Sequence, residues 1–235
     1  MLKAKNISLS IDGKTLLDDI NIDIAENSFV CVAGANGAGK TLLLKILGGV
    51  IVPTNGAVFF DGQNIAFLGA RQKSRFLRFL PAQPESVFNY KVGDVVLMGA
   101  NPYIAWWENY RAADKAAALK AMQNTNTAAL EDRGVLTLSD GERQRVFAAQ
   151  ALAGGPKIIL PDEPSSHLDL KQKDIIFKLF ADIARDGAVI ICATHDIEMA
   201  KKHATHICLL EEGRLKDFAP AAKITDSKIK KVYGL

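Results

Sequence analysis

The stretch Gly34 to Thr41 reads GANGAGKT and fits the pattern G-x-x-x-x-G-K-[ST] between an apolar run and a helical one. Glycines at this spacing let the backbone curl, so that several N–H groups face the oxygens of one phosphate chain. Lys40 can neutralise β- and γ-phosphates, and the Thr41 hydroxyl can ligate Mg²⁺. A metal held there needs another oxygen ligand, and hydrolysis needs a group that orients water. The stretch KIILPDEP offers both, with Asp162 placed for the metal and Glu163 placed to polarise the attacking water. A further apolar run, AVIICATHD, ends at His195, a hydrogen-bond donor for a γ-phosphate. Near the middle of the chain, TLSDGERQRV places Ser139 and Glu142 at capping-box spacing. A helix N-terminus attracts anions, so this stretch reads either as an anion site or as a well-capped helix and no more.

These groups need a scaffold that brings them together. Ile7, Leu9 and Ile11 alternate, Ile20, Ile22 and Ile24 repeat the pattern, and Asp12-Gly13 between them signals a hairpin. FVCVAG, KIILP at 157–161, AVIICAT at 188–194 and HICLLEEG at 206–213 are continuous apolar runs, expected of strands buried on both faces. Helical stretches such as KTLLLKILGG and residues 172–187 separate them, which predicts a mainly parallel α/β sheet with an N-terminal antiparallel β part. Ligand sites in such sheets lie at the carboxyl ends of strands, where the loop, Asp162, Glu163 and His195 all fall. From about Glu85 to Ala153 the pattern turns helical, so 85–153 reads as a helical subdomain inserted into a core formed by 1–84 and 154–235.

Composition narrows the class. The 235 residues suit one large domain or a core with a smaller lobe. A formal charge of +3 gives no basis for nucleic-acid binding, which uses a concentrated basic face. Cys31, Cys192 and Cys208 each sit inside an apolar run and read as reduced core residues of a cytoplasmic protein. The start MLKAKNISLS lacks the apolar segment of a signal peptide, and no stretch reaches the ~20 apolar residues that cross a bilayer.

Taken in order, the motifs resemble those of the ATP-binding subunits of ABC transporters over nearly the whole chain. GANGAGKT is similar to the Walker A loop, IILPDEP to the Walker B strand with its glutamate, and LSDGE to the family signature. SSHLD at 165–169 is similar to the D-loop, ATHD to the switch histidine, and Gln83 to the Q-loop glutamine. The resemblance implies a P-loop NTPase fold, ATP and Mg²⁺ as cofactors, and hydrolysis using Glu163, His195, Lys40 and Gln83. It implies nucleotide contacts from Asn36, Gly37, Ala38, Gly39, Lys40, Thr41 and Leu42, and metal contacts from Thr41, Gln83 and Asp162. Two copies would pack head to tail, with Ser139, Gly141 and Glu142 of one reaching the triphosphate held by the other. Ser139 cannot fully cap its helix and donate to phosphate together, so it is expected to change partners when ATP binds.

The stretch 92–122 and the terminal VYGL resemble importers for iron-siderophores, haem and cobalamin. That implies membrane permease subunits, a substrate-binding protein beyond them, and a place on the inner face of the membrane. Trp106 and Trp107 are candidates either for docking the permease or for packing within the lobe. An ABC exporter subunit and a non-transport ABC ATPase are the alternatives.

Five positions depart from the family pattern. Ile11 stands where an aromatic ring would stack on adenine, which predicts poor base selectivity. Asp140 replaces a glycine and is expected to turn its carboxylate away from phosphate. Pro161 precedes Asp162 and is expected to end strand pairing there. Ala82 separates Pro81 from Gln83, and Leu42 replaces a second hydroxyl after the lysine.

Overall fold

In the computed structural model, which describes residues 1–82, 88–105 and 107–234, β1 (Leu2–Ile11) and β2 (Lys14–Ile24) pair antiparallel as the alternating isoleucines require. Asp12 (φ 50°) and Gly13 (φ 76°) both take left-handed conformations between them, the geometry whose twist suits a two-residue hairpin. The other edge of β1 receives β4 (Asn55–Phe60), and β5 (Gln63–Asn64) completes a sheet ordered β2-β1-β4-β5.

The second sheet is the framework of the site. Its order is β10-β9-β3-β8-β7-β6, from β3 (Phe29–Ala33), β6 (Leu77–Leu80), β7 (Ile158–Pro161), β8 (Val189–Thr194), β9 (His206–Glu211) and β10 (Arg214–Pro220). All neighbours run parallel except β9 and β10. Because strand side chains alternate, Val30 and Val32 face one core while Phe29, Cys31 and Ala33 face another, which is why FVCVA is apolar throughout. The first core lies between the two sheets and includes α1 (Lys40–Leu47) through Leu43, Leu44, Ile46 and Leu47. The second is covered by α6 (Leu170–Arg185), α7 (Ile197–His203) and α8 (Asp226–Tyr233). Cys31 and Cys192 sit side by side in the β3–β8 register, and all three cysteines are buried and free. Burial pushes the Cys208 thiol up to about 12 and the Cys192 thiol upward as well, which keeps both protonated.

One expectation fails at Pro161. Pairing does not end there: Asp162 N–H donates to Leu80 O at 2.8 Å, and Glu163 N–H donates to Ala193 O at 2.9 Å. Amides alternate sides along a strand, so position 161 faces β8 like 163, and the ring removes one donor inside a ladder that then resumes.

α2 (Ala70–Phe76) leads into β6, and between β6 and β7 the chain forms α3 (Val92–Leu97), α4 (Ala112–Asn124) and α5 (Asp140–Ala153), packed around Val92, Val96, Met122, Val135 and Val146. The boundary expected at 84/85 lies outside the described residues. Hydrogen bonds that join this helical part to the core include Arg71 Nη2 to Ile104 O (3.0 Å), Arg78 Nη2 to Gly99 O (2.9 Å), Gln144 Nε2 to Ala82 O (3.0 Å) and Arg145 Nη1 to Gln172 Oε1 (2.9 Å). No helix among the described residues is long and apolar enough to cross a membrane.

Candidate active site

Neighbouring strands β3, β8 and β7 end on one side of the sheet, so topology alone delivers the glycine loop, His195 and the Asp162–Glu163 pair to one edge. The loop tolerates only glycine at two of its turns. A Cβ on Gly34 would lie 2.1 Å from Leu210 O, and Gly39, at φ 99°, would press a Cβ to 2.6 Å from Leu17 Cδ2. Ala38 pins the crest, donating to Ala35 O at 3.1 Å and accepting from Gly213 N at 3.1 Å. Among the described residues, the amides of Gly37, Gly39, Lys40, Thr41 and Leu42 have no hydrogen-bond partner. They are the free donors of the start of α1 and of the turn leading into it, which suits an anion. Asn36 and Gly37 are exposed at the crest, and Leu42 packs against the core rather than adding a polar contact.

Lys40 is buried, and its ammonium donates to Gly34 O at 2.9 Å and Ala35 O at 3.2 Å, with Glu163 Oε1 at 3.6 Å. Carbonyls only partly balance a buried cation, so this group suits a polyanion. The Thr41 hydroxyl donates to Asp162 Oδ1 at 2.9 Å, joining the two expected metal ligands directly. Burial raises the Asp162 pKa, and the neighbouring Glu163 charge adds to it against the Thr41 hydrogen bond. A carboxylate whose charge is disfavoured until a cation arrives fits a Mg²⁺ site.

Glu163 adopts φ 49°, a left-handed conformation that costs a non-glycine residue about 1–3 kcal/mol. The hydrogen bond from its amide to Ala193 O holds that turn and aims the carboxylate across the strand ends. There Glu163 Oε2 lies 2.5 Å from His195 Nδ1. An ionised carboxylate only accepts, so Nδ1 carries the proton and Nε2 is left for other work. His203 meets Asp174 and His206 meets Thr205, which makes both structural.

The second expected cluster forms on α5. Ser139 Oγ accepts from Glu142 N at 3.4 Å, while Glu142 Oε2 accepts from the Ser139 amide and hydroxyl, each at 2.9 Å. The Ser139 amide and hydroxyl hydrogen bonds lower the Glu142 pKa, and Arg133 Nη1 stands 3.3 Å from its other oxygen. Asp140 is exposed and pairs with Arg143 instead of pointing along the helix axis. A Cβ on Gly141 would meet Gln172 Oε1 at 2.6 Å, so a larger residue there would displace that side chain and its bond to Arg145. No hydrogen bond or ion pair among the described residues connects Ser139, Gly141 or Glu142 with Lys40, Thr41, Asp162, Glu163 or His195. The expected sites at Gln83 and Trp106 lie outside the described residues, and Trp107 is 70% exposed. The Arg145–Gln172 link between α5 and α6 was not read from the sequence, because it joins side chains 27 positions apart that no local pattern relates.

A buried lysine against an amide-lined loop, facing a hydroxyl–carboxylate pair at strand ends, is the chemistry of P-loop nucleotide hydrolases on their α/β sheet. Residues 17–166 match the ABC transporter family, and the chain belongs to it. It is 35% identical over 243 residues to a hemin import ATP-binding protein of Gloeobacter violaceus, covering 100% of this chain and 88% of that one. It is 30% identical over 236 residues to the ferric enterobactin transport ATP-binding protein of Escherichia coli, covering 100% and 87%. A bacterial ABC transporter cassette solved in dimeric form superposes with a TM-score of 0.78 at 26% identity, over 94% of this chain and 99% of that one. The chain is thus an ATP-hydrolysing ABC subunit.

Proposed function

We propose that this chain drives uptake of an iron complex (haem or a ferric siderophore) or of cobalamin, as a head-to-tail pair of copies docked on a permease at the inner face of the membrane. The cargo class rests on the full-length likeness to hemin and ferric enterobactin subunits. The pairing rests on one structural observation: the Ser139 helix start and the Lys40 loop are each prepared for phosphate, yet no bond among the described residues joins them. A second copy supplies the missing half. A substrate-binding protein beyond the permease completes the expected assembly, and exposed Trp107 is a candidate for the permease contact.

Within each composite site, Lys40 and the loop amides bind the triphosphate. Thr41 and Asp162 would hold Mg²⁺, which when bound neutralises phosphate charge. Glu163 takes the proton from the attacking water, and His195 Nε2 faces the transferred phosphoryl group while Nδ1 keeps the glutamate in place. Ser139 gives up its hydrogen bond to Glu142 in order to donate across the dimer.

The test is coexpression with a permease of this importer class, reconstitution in vesicles, and uptake of hemin, a ferric siderophore and cobalamin compared under ATP. ATPase stimulation dependent on hemin, a siderophore or cobalamin supports the reading. Stimulation by none of the three, or copurification with ribosomes or nucleic acid in place of a permease, overturns it.

A further inference from the structure

The turn that carries His195 is held by the residues on either side of it. The amide and carbonyl of His195 itself make no hydrogen bond among the described residues. Before it, the hydroxyl of buried Thr194 accepts from the Asp196 amide at 3.0 Å. After it, Asp196 uses both carboxylate oxygens: Oδ1 accepts from the Met199 amide at 3.1 Å and caps α7, and Oδ2 accepts from Lys173 Nζ at 3.0 Å.

The Thr194 and Met199 contacts are local and move with the turn. Lys173 stands 23 positions away on α6, a helix fixed in the second core by Ile176, Phe177, Phe180 and Ile183. By contrast α7 has seven residues and buries Met199 and Ala200, and a helix that short depends on its contacts for its place. Its far end is tied to α6 as well, where Asp174 accepts from Lys202 Nζ at 2.6 Å and meets His203 Nε2 at 2.7 Å. Adjacent residues of α6 therefore clamp both ends of α7, and the near clamp lies one residue from His195. The Lys173 and Asp196 side chains keep 22% and 14% of their exposure, and a charge that sheltered is costly without its partner. The place of Asp196, and with it the His195 ring that meets Glu163 Oε2, follows Lys173.

We propose that Lys173 is a positioning residue for hydrolysis: its ion pair with Asp196 fixes the turn after β8, so that His195 keeps the Glu163 carboxylate in place. This deepens the reading of the site given above and rests on His195 and Glu163 acting as that reading assigns.

The experiment compares wild type, Lys173→Met and Asp196→Asn, each alone and combined with His195→Ala. Methionine matches the reach of lysine without its charge. Asparagine keeps an oxygen for the Met199 amide and gives up the ion pair. Single-turnover ATP hydrolysis, equilibrium binding of magnesium with a non-hydrolysable ATP analogue, and thermal melting are measured, and either variant suffices where melting shows it folded. Each single variant is expected to hydrolyse about three- to tenfold more slowly, the size of one net hydrogen bond, while binding the analogue at wild-type strength. In the His195→Ala background neither substitution lowers the rate further, because the group being positioned is gone. A folded variant that hydrolyses at the wild-type rate overturns the inference. A further loss of the same size in the His195→Ala background also overturns it, as does weakened analogue binding, since either would mark a general structural role. A His195→Ala chain with wild-type turnover overturns the reading of the site on which the inference rests.

Discussion

Glu163 Oε2 and His195 Nδ1 meet at 2.5 Å across the ends of two neighbouring strands, β7 and β8. The contact depends on an unfavourable backbone angle at Glu163 that its amide bond to Ala193 O maintains. The pair behaves as one unit: the histidine orients the carboxylate, and the carboxylate sets the histidine tautomer.

Glu163→Gln is therefore expected to lower kcat by about 10²–10⁴-fold, the usual contribution of a positioned base. Nucleotide binding should persist, because Lys40 and the loop amides are untouched. His195→Ala should lower kcat too, by freeing the carboxylate. Single-turnover hydrolysis beside equilibrium binding checks both, and normal turnover in Glu163→Gln would require a different water-orienting group.

Ser139→Ala separates two roles of one hydroxyl. As a cap it accepts at a long 3.4 Å, so the stability loss should fall near the low end of the ~0.5–2 kcal/mol range for such caps. As a donor across the dimer it should matter far more, and ATP-driven dimerisation should fail. Urea unfolding together with light scattering of Glu163→Gln and the Ser139→Ala/Glu163→Gln double variant distinguishes the two. An unimpaired dimer in the double variant would remove Ser139 from the composite site.

Much of this architecture is legible in the sequence because the deciding signals are local. The hairpin is written in alternating isoleucines around Asp12-Gly13, and the loop in glycines that no other residue can replace at 34 and 39. Strands β4, β6 and β10 are not marked by such patterns: β4 and β10 are only partly buried, β6 is only four residues long, and sheet neighbours decide their state. Pro161 shows the same limit, since only its partners in the ladder reveal that pairing resumes past it. The meeting of Thr41 with Asp162, 121 positions away, follows from strand order, whereas Arg145–Gln172 follows from packing alone.

Ile11 closes β1 at the hairpin and is 47% exposed, an aliphatic surface where a ring would stack on the base. Base stacking on an aromatic is worth about 1–3 kcal/mol in nucleic-acid complexes, and an isoleucine forgoes most of its selectivity. GTP and ATP should support similar kcat/KM, and Ile11→Tyr should lower KM for both nucleotides. A strong preference for ATP in the wild type would count against this.

Asp162 gives the chain a pH-dependent stability whose sign follows from burial. Its folded pKa is raised, so folded and unfolded chains are both protonated below the ordinary aspartate value of about 4. Above that value the unfolded chain ionises first, and stability declines until the folded pKa is passed. Asp162→Asn removes this contribution while leaving an oxygen to accept from Thr41. The variant should therefore match wild type in acid and become the more stable protein as pH rises toward neutrality. Magnesium with nucleotide should reverse the order by stabilising only the wild type, as a ligand of the folded state does. Denaturant titrations across pH, with and without magnesium nucleotide, measure both halves, and a stability difference that shrinks with rising pH would show that Asp162 is held ionised by its neighbours.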